Sequence, residues 1–148
     1  MPSSPLHDEH ATSARGWSNL LGEVPLFANL GPRRLRKVAA LATIRRFHTQ
    51  TAIVRADETG NTLFVVLDGE VSVKRPGQPQ LQLARGSFFG EMALLDGGAR
   101  SATVIADGPV TCLTITQSRF LKLLRNEPSV AIALLKELAT RLRDDRAF

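Results

Sequence analysis

The stretch between residues 87 and 104 reads Ser87-Phe88-Phe89-Gly90-Glu91-Met92-Ala93-Leu94-Leu95-Asp96-Gly97-Gly98-Ala99-Arg100-Ser101-Ala102-Thr103-Val104. Its two ends are apolar, which predicts a strand on either side, and its middle is polar and interrupted by glycine. Gly90 permits a close approach of the backbone to another group, and the double glycine at positions 97 and 98 predicts a bend. Between them, residues 92–95 predict one helical turn whose first N–H groups have no partner within the helix. A short helix that follows a glycine in this way is typical of an anion-binding site.

Two charged side chains in this stretch complement each other chemically. The Glu91 carboxylate can accept hydrogen bonds from hydroxyl groups. Arg100 offers a planar fork that matches a phosphate group, and the hydroxyl of Ser101 lies next to it in the chain. One acidic and one basic anchor indicate a ligand that carries both a sugar hydroxyl and a phosphate.

The same residues carry a resemblance to a known family. The segment 89–95, Gly98 and the segment 100–104 resemble the phosphate-binding cassette of cyclic-nucleotide-binding domains, as found in catabolite-activator-type regulators, cyclic-nucleotide-dependent protein kinases and cyclic-nucleotide-gated channels. The spacing from Gly90-Glu91 to Arg100 fits without insertion, which makes the motif specific. The resemblance extends from about Pro25 to Arg143. Ala99 departs from it, because the family often has proline there.

The resemblance implies a role for each residue of the cassette. Arg100 would hold the cyclic phosphate together with Ser101, the N–H of Ala102 and the short helix, while Glu91 and the backbone of Gly90 would take the ribose 2′-hydroxyl. Val73 and Leu83 would form part of the wall against the purine, although both could simply fill the barrel. The predicted ligand-binding residues are Gly90, Glu91, Met92, Ala93, Arg100, Ser101, Ala102, Val73, Leu83 and Arg141.

The resemblance does not decide which purine base is bound or which residue covers it. A threonine after the arginine tends to accompany cyclic GMP in the family, so Ser101 favours cyclic AMP and leaves cyclic GMP possible. Arg141 lies about where channel-like bacterial members place an arginine over the purine. It could equally be an exposed arginine that the helix dipole favours at the end of a helix. Asp144-Asp145-Arg146 does not match the Thr-Ser pair of the catabolite activator.

The hydrophobic pattern predicts the fold independently. Apolar residues recur at helical spacing in residues 17–21 and 35–42, and again after Thr116 and Pro128. Between these helices, alternating residues predict strands at 44–48, 51–54, 63–67, 70–74, 80–84, 102–106 and 110–115. Asp68-Gly69, Pro76-Gly77 and Asp107-Gly108 are turn signals. The sequence therefore predicts a mainly β protein: an antiparallel jelly-roll barrel with N-terminal helices, a short cassette helix and two C-terminal helices.

Length and composition agree with one globular domain. The chain has 148 residues, of which 43% are hydrophobic and 22% charged. We expect a flexible tail over residues 1–15 and one cyclic-nucleotide-binding domain over residues 16–148. No apolar run reaches the roughly 18 residues that a membrane helix needs, and the N-terminus lacks the apolar core of a signal peptide, which together predict a cytoplasmic protein. The lone Cys112 lies in an apolar alternating segment, which favours a buried and inert thiol.

The partners follow from the same observations. The net charge of +5 is spread over several short groups without interleaved aromatics, so DNA binding by this chain alone is not expected. The resemblance implies that the last helix closes over the base and carries the signal to an unidentified effector protein or domain. Leu135, Leu138 and Leu142 on that helix could form the seam of a homodimer.

Three other classes of protein compete with a cyclic-nucleotide sensor. A catabolite-activator-type regulator would need a helix-turn-helix, and none follows Phe148, so this alternative requires that the chain is the sensor portion of such a regulator or works with a separate effector. A jelly-roll metalloenzyme would need converging ligands, whereas His7, His10 and His48 are scattered, so no metal site is predicted. A ligand-free interaction barrel could instead use Glu91 and Arg100 as a salt bridge. No pattern indicates a nucleophile with its base or a triphosphate loop, and the chain is predicted not to be an enzyme.

Overall fold

The computed structural model describes residues 12–144. The helices are α1 (Ser18–Leu21), α2 (Pro32–Leu41), α3 (Glu91–Asp96), α4 (Gln117–Asn126) and α5 (Pro128–Arg143), with short 3-10 helices at Arg15–Trp17 and Pro25–Phe27. The strands are β1 (Thr12–Ser13), β2 (Thr43–Phe47), β3 (Ala52–Val54), β4 (Thr62–Asp68), β5 (Val71–Lys74), β6 (Leu81–Leu83), β7 (Phe88–Phe89), β8 (Thr103–Ala106) and β9 (Val110–Thr116).

The strands form two antiparallel sheets. One sheet has the order β1-β2-β9-β4-β7, and the other has the order β3-β8-β5-β6. All the pairings are antiparallel, and the register of β4 on β9 is marked by Val65 opposite Leu113. The predicted jelly roll with flanking helices is confirmed, as a roll of two facing sheets.

Alternation along the strands of the first sheet creates two hydrophobic cores. In β4, Leu63, Val65 and Leu67 face the helices and pack with Phe120 of α4. Phe64 and Val66 point the other way, into the space between the two sheets. Because successive side chains of a strand point to opposite faces, one sheet can support both cores. Phe89 and Ala102, at the two ends of the cassette, belong to the core between the sheets, whereas Leu94 of α3 belongs to the helical core.

One sheet includes two residues that the sequence assigns to the N-terminal tail. Residues 1–11 lie outside the described part of the chain, but Thr12–Ser13 pairs with β2, where Ser13 lies opposite Thr43. Ala14 is fully buried in the helical core. The backbone of this segment gains hydrogen bonds at the edge of a sheet, and its one small apolar residue fits against packed helices. Residues 12–14 therefore contact the fold, and the division into a tail and a domain at residue 16 stays a prediction.

The turns follow the residue types that the sequence supplies. Asp57 adopts a left-handed backbone with φ of 71°, a conformation that aspartate tolerates better than most residues. Gly69 has φ of 92° in the turn after β4, as the Asp68-Gly69 signal predicts. No helix within residues 12–144 is long and apolar enough to cross a membrane.

Candidate ligand-binding site

The cassette is shaped by the backbone of Gly90. This residue has φ of 88° and stands immediately before α3. A Cβ atom at this position would lie 2.6 Å from Nη1 of Arg100 and 2.8 Å from the carbonyl oxygen of Thr62. Both distances are far below van der Waals contact, so the chain needs glycine here for conformation and for space. The predicted turn over residues 92–95 is confirmed and extended by one residue at each end.

Arg100 is buried against the start of α3. Its side chain is 7% exposed, and its Nη1 donates a hydrogen bond to the carbonyl oxygen of Gly90 at 3.2 Å. The guanidinium lies over the ring of Phe64, with 5.8 Å between Cζ and the ring centroid. On another side it lies against Gly60, where a Cβ atom would overlap it. Arg100 is therefore enclosed by two glycines and one aromatic ring.

The loop that precedes β4 holds the backbone of Arg100. The N–H of Arg100 donates to the carbonyl oxygen of Glu58 at 2.8 Å, and the N–H of Asp57 donates to the carbonyl oxygen of Arg100 at 2.9 Å. These two bonds fix the arginine between two loops that are distant in sequence. The left-handed conformation of Asp57 is thus part of the support for the site.

Burial changes the electrostatics of Arg100. Desolvation lowers the pKa of the Arg100 guanidinium below its ordinary value, and the Glu91 carboxylate offsets part of this effect. An arginine remains charged in proteins, so the direction of the shift means that its charge has lost water that it would have in solution. A bound oxyanion would replace that lost solvation, and the position is chemically suited to phosphate.

Glu91 forms an ion pair with the last helix. Its Oε2 atom lies 3.2 Å from Nη1 of Arg141, and the two side chains are 1% and 3% exposed. Arg141 also donates from Nη2 to the carbonyl oxygen of Phe88 at 2.7 Å, and its Cζ lies 4.0 Å from the centroid of the Phe88 ring. Its Nε donates to Oε2 of Glu137, one turn earlier on α5, at 3.1 Å. Arg141 therefore joins α5 to the cassette.

This arrangement corrects one of the two expectations for Arg141. The alternative of an exposed helix-end arginine is wrong, because the side chain is among the most buried charged groups of residues 12–144. Contact of Arg141 with a purine stays a prediction. Sequence reasoning missed Glu91 as its partner, since the two residues are 50 positions apart. The spacing of Glu137 and Arg141 could have been noticed, because i,i+4 pairs face each other on a helix.

The remaining predicted site residues lie around the same region. Val73 and Leu83 are buried in the core between the sheets, together with Phe64 and Phe89, whose rings stack at 5.0 Å. Ala93 and Ala102 are also buried, Met92 is half-buried, and Ser101 is exposed. The structure thus brings Val73, Leu83 and Ala102 into the core that contains the aromatic partner of Arg100. Their contacts with a ligand stay predictions.

Gln117 is a further residue that the sequence did not single out. Its Nε2 donates to the carbonyl oxygen of Leu94 in α3 at 2.6 Å, and its backbone N–H donates to the carbonyl oxygen of Asn61 at 2.7 Å. Since Gln117 is the first residue of α4, it ties the cassette helix to the start of the C-terminal helices. No local sequence pattern predicts these two hydrogen bonds, because their acceptors are backbone carbonyl oxygens.

A metal centre is not supported by the described residues. Within residues 12–144, no group of three or more His, Cys, Asp or Glu side chains is arranged to hold a metal ion. His7 and His10 lie outside this range. Cys112 is fully buried, and burial raises the pKa of its thiol to about 12. The chemistry of the site is therefore that of Glu91, Arg100 and the surrounding backbone.

Comparison with known proteins agrees with this geometry. The family described as "Cyclic nucleotide-binding domain" matches residues 44–127. A cyclic nucleotide-gated potassium channel from Mesorhizobium japonicum is 38% identical over 117 residues, which are 79% of this chain and 32% of the channel. A cAMP-dependent protein kinase regulatory subunit from Hypocrea atroviridis is 30% identical over 110 residues, which are 74% of this chain and 24% of the subunit.

A solved structure extends the likeness to three dimensions. The crystal structure of the catabolite activator protein from Thermus thermophilus has a TM-score of 0.75 and 32% identity, and the match covers 82% of this chain and 59% of that protein. This chain spans about a third or less of the length of the two curated relatives described above. Sequence and fold together show that the chain belongs to the cyclic nucleotide-binding domain family.

Proposed function

We propose that this chain is a regulatory module that binds cyclic AMP and passes the binding event to an effector through α5. The observation that carries the proposal is the buried Arg100 guanidinium, held beside Gly90 and the start of α3 and deprived of part of its hydration. A cyclic phosphate is an anion of the right geometry for this group. The family is one of regulatory ligand-binding domains, and the proposal includes no catalytic step.

The ligand would be held at two ends. Arg100 would pair with the cyclic phosphate, and the exposed Ser101 hydroxyl and the N–H groups of Ala102 and Ala93 would add hydrogen bonds. Glu91, with the backbone of Gly90, would accept the ribose 2′-hydroxyl. Because Nη1 of Arg100 now donates to the Gly90 carbonyl oxygen, phosphate binding would exchange or share that hydrogen bond.

The base would pack in the apolar space lined by Val73 and Leu83. Ser101 stands where the cyclic-GMP binders of the family tend to have threonine, which favours cyclic AMP. The relatives are named for both nucleotides, cyclic AMP in a kinase regulatory subunit and cyclic GMP in a protein kinase from Drosophila melanogaster, so the ranking rests on Ser101. We therefore rank cyclic AMP above cyclic GMP as the ligand.

The relay would run through the ion pair between Glu91 and Arg141. A ribose hydroxyl that donates to Glu91 changes the partners of a carboxylate that now holds Arg141 of α5. Arg141 also packs on the ring of Phe88, so it is held close to Glu91. A shift of Glu91 would therefore move the end of α5. In this proposal Arg141 responds to the ligand indirectly, because the ribose hydroxyl changes the hydrogen bonds of Glu91. Arg141 could also contact the ligand directly by stacking on the purine.

Calorimetric titration with cyclic AMP and cyclic GMP tests the proposal. We expect saturable binding, tighter for cyclic AMP, and a loss of about 3 kcal/mol or more for Arg100→Ala, by analogy with broken buried ion pairs. That loss corresponds to roughly a hundredfold or more in affinity. Arg33→Ala, an exposed arginine of α2, is the matched control and should bind like the parent. Absence of binding by folded parent protein would refute the proposal.

A homodimer through α5 is a further part of the proposal. Ile132, Leu135 and Leu142 are 52%, 65% and 69% exposed. Together with residue 139 they follow the alternating three- and four-residue spacing of a coiled-coil seam. Leu138, predicted from the sequence for the same seam, instead packs against the helical core. Sedimentation should reveal a concentration-dependent dimer that Leu135→Glu disrupts and the remote Lys74→Glu does not. A parent chain that stays monomeric would refute it.

A further inference from the structure

Two adjoining concavities, which share Leu41, form a groove that begins beside the candidate nucleotide site and extends away from it. The first lies between α2 and α4, has a volume of about 350 Å³ and is lined by Lys37, Ala40, Leu41, Lys122, Leu123, Asn126 and Glu127. The second has a volume of about 280 Å³ and is lined by Leu41, Thr43, Arg45, Thr62, Thr114, Thr116 and Arg119. They share Leu41, so we name them together the α2–α4 groove.

The groove is strongly cationic. Its lining includes four positive side chains, Lys37, Arg45, Arg119 and Lys122. One carboxylate, Glu127, belongs to the same lining, but it is 7% exposed and forms an ion pair with Arg34 at 3.3 Å. The groove therefore keeps a positive potential along its length, and clefts lined by charge of one sign concentrate molecules of the opposite sign.

The floor of the groove differs chemically from its walls. Leu41 is half-buried and Ala40 exposed, so both offer apolar surface in the lining, whereas Leu123 beneath them is 2% exposed. Toward the sheet, the hydroxyl groups of Thr43 and Thr114 bond each other at 2.6 Å. Arg119 is oriented over this region because its Nη1 donates to the carbonyl oxygen of Leu41 at 3.3 Å. Apolar contact in the middle and positive charge at the sides together suit an amphipathic acidic segment.

We propose that the α2–α4 groove binds an acidic peptide segment that carries apolar side chains. Its carboxylates would pair with Lys37 and Lys122, and an apolar side chain would lie on Ala40 and Leu41. Single-stranded nucleic acid fits less well, because bases stack on aromatic rings and no aromatic residue is part of the groove lining. An amphipathic segment of a partner protein can present charged and apolar groups in alternation, as the groove requires.

The groove ends close to the nucleotide site without containing it. Arg45 and Thr62 also line a cavity of about 190 Å³ that borders Arg100. Lys37 and Lys122 belong to the opposite end of the groove, so they can be changed without altering residues of the cassette. The proposal concerns a surface of the folded domain and does not depend on nucleotide binding.

Fluorescence anisotropy with three labelled peptides tests the proposal on the full chain. The first peptide alternates glutamate with leucine, the second replaces each leucine by serine, and the third replaces each glutamate by lysine. We expect saturable binding of the glutamate–leucine peptide only. Lys37→Glu and Lys122→Glu should each weaken it by about fivefold or more, since each reversal replaces an attraction by a repulsion. Lys74→Glu, an exposed reversal on β5, is the control and should have little effect.

Each other outcome overturns the proposal. Equal weakening by Lys74→Glu and Lys122→Glu would mean that only net charge is recognised. Equal binding of the glutamate–serine peptide would mean that the apolar floor has no role. Tighter binding of a labelled DNA oligonucleotide than of the peptide, with the same loss in Lys122→Glu, would assign the groove to nucleic acid. If the glutamate–leucine peptide does not bind the folded parent protein, the proposal of a peptide-binding groove is wrong.

Discussion

Replacing Arg141 by methionine tests how strongly the cassette holds α5. Methionine keeps an unbranched apolar stem and removes the guanidinium, which now contacts Glu91, Glu137 and the carbonyl oxygen of Phe88. Glu91 is 1% exposed, so the variant leaves a buried carboxylate without its arginine. Breaking a buried pair from one side costs about 3 to 5 kcal/mol. For a chain of this length, that loss lowers Tm by roughly 10 °C.

The free energy of unfolding can be measured by urea denaturation followed through Trp17, the one tryptophan of the chain. Glu91→Gln and the double variant complete a thermodynamic cycle, which separates the interaction from the effect of each replacement alone. Because the double variant has neither charge, it should be less destabilised than the sum of the two single variants. Arg85→Met is the control, since the pair between Arg85 and Glu23 is more than half exposed and should contribute less than about 1 kcal/mol.

Two results would refute this reasoning. The first is a destabilisation by Arg141→Met no larger than that of Arg85→Met, which would mean that the buried pair contributes no more than a surface pair. The second is simple additivity of Arg141→Met and Glu91→Gln, which would mean that the two side chains do not stabilise each other. Either result would also argue against the proposed relay, because the relay depends on a stabilising ion pair between Glu91 and Arg141.

Two further predictions concern the cassette backbone and the buried thiol. Gly90→Ala should destabilise the fold by about 3 kcal/mol or more. The alanine would have to adopt a left-handed backbone conformation, and its Cβ would collide with the Thr62 carbonyl oxygen. Gly77→Ala, at a φ of 70° with open space around it, should cost only about 1 kcal/mol in the same urea titration. Cys112 should resist a maleimide at pH 8 until the protein unfolds, because a pKa of about 12 leaves roughly one thiolate in ten thousand. Labelling of the native protein at the rate of a free thiol would contradict this.

The sequence predicts best those parts of the fold that rest on local chemistry. The alternation of β4 and β9 reveals both strands, because each has one side toward the helices and one toward the other sheet. Gly90 could be assigned its backbone role from the cassette pattern alone. Strand β7 is indicated only by the apolar start of the 87–104 stretch, since Phe88–Phe89 has two residues and both are buried, which leaves no alternation to detect. The pairing of Thr12–Ser13 was missed for a similar reason, because two polar residues after a polar tail carry no period.

Contacts between distant residues are what the sequence did not predict, and they decide how the site is linked to the rest of the molecule. Glu91 has a plausible partner nearby in Arg100, yet its ion pair is with Arg141, 50 residues later. The choice follows from packing: Phe88 offers Arg141 both a carbonyl oxygen and a ring, so the guanidinium gains contacts that an exposed helix end would not provide. Arg100 is left to face the glycines of two loops, where an anion can reach it. The position of each arginine relative to Glu91 is therefore set by tertiary structure, and the proposed relay to α5 rests on this arrangement.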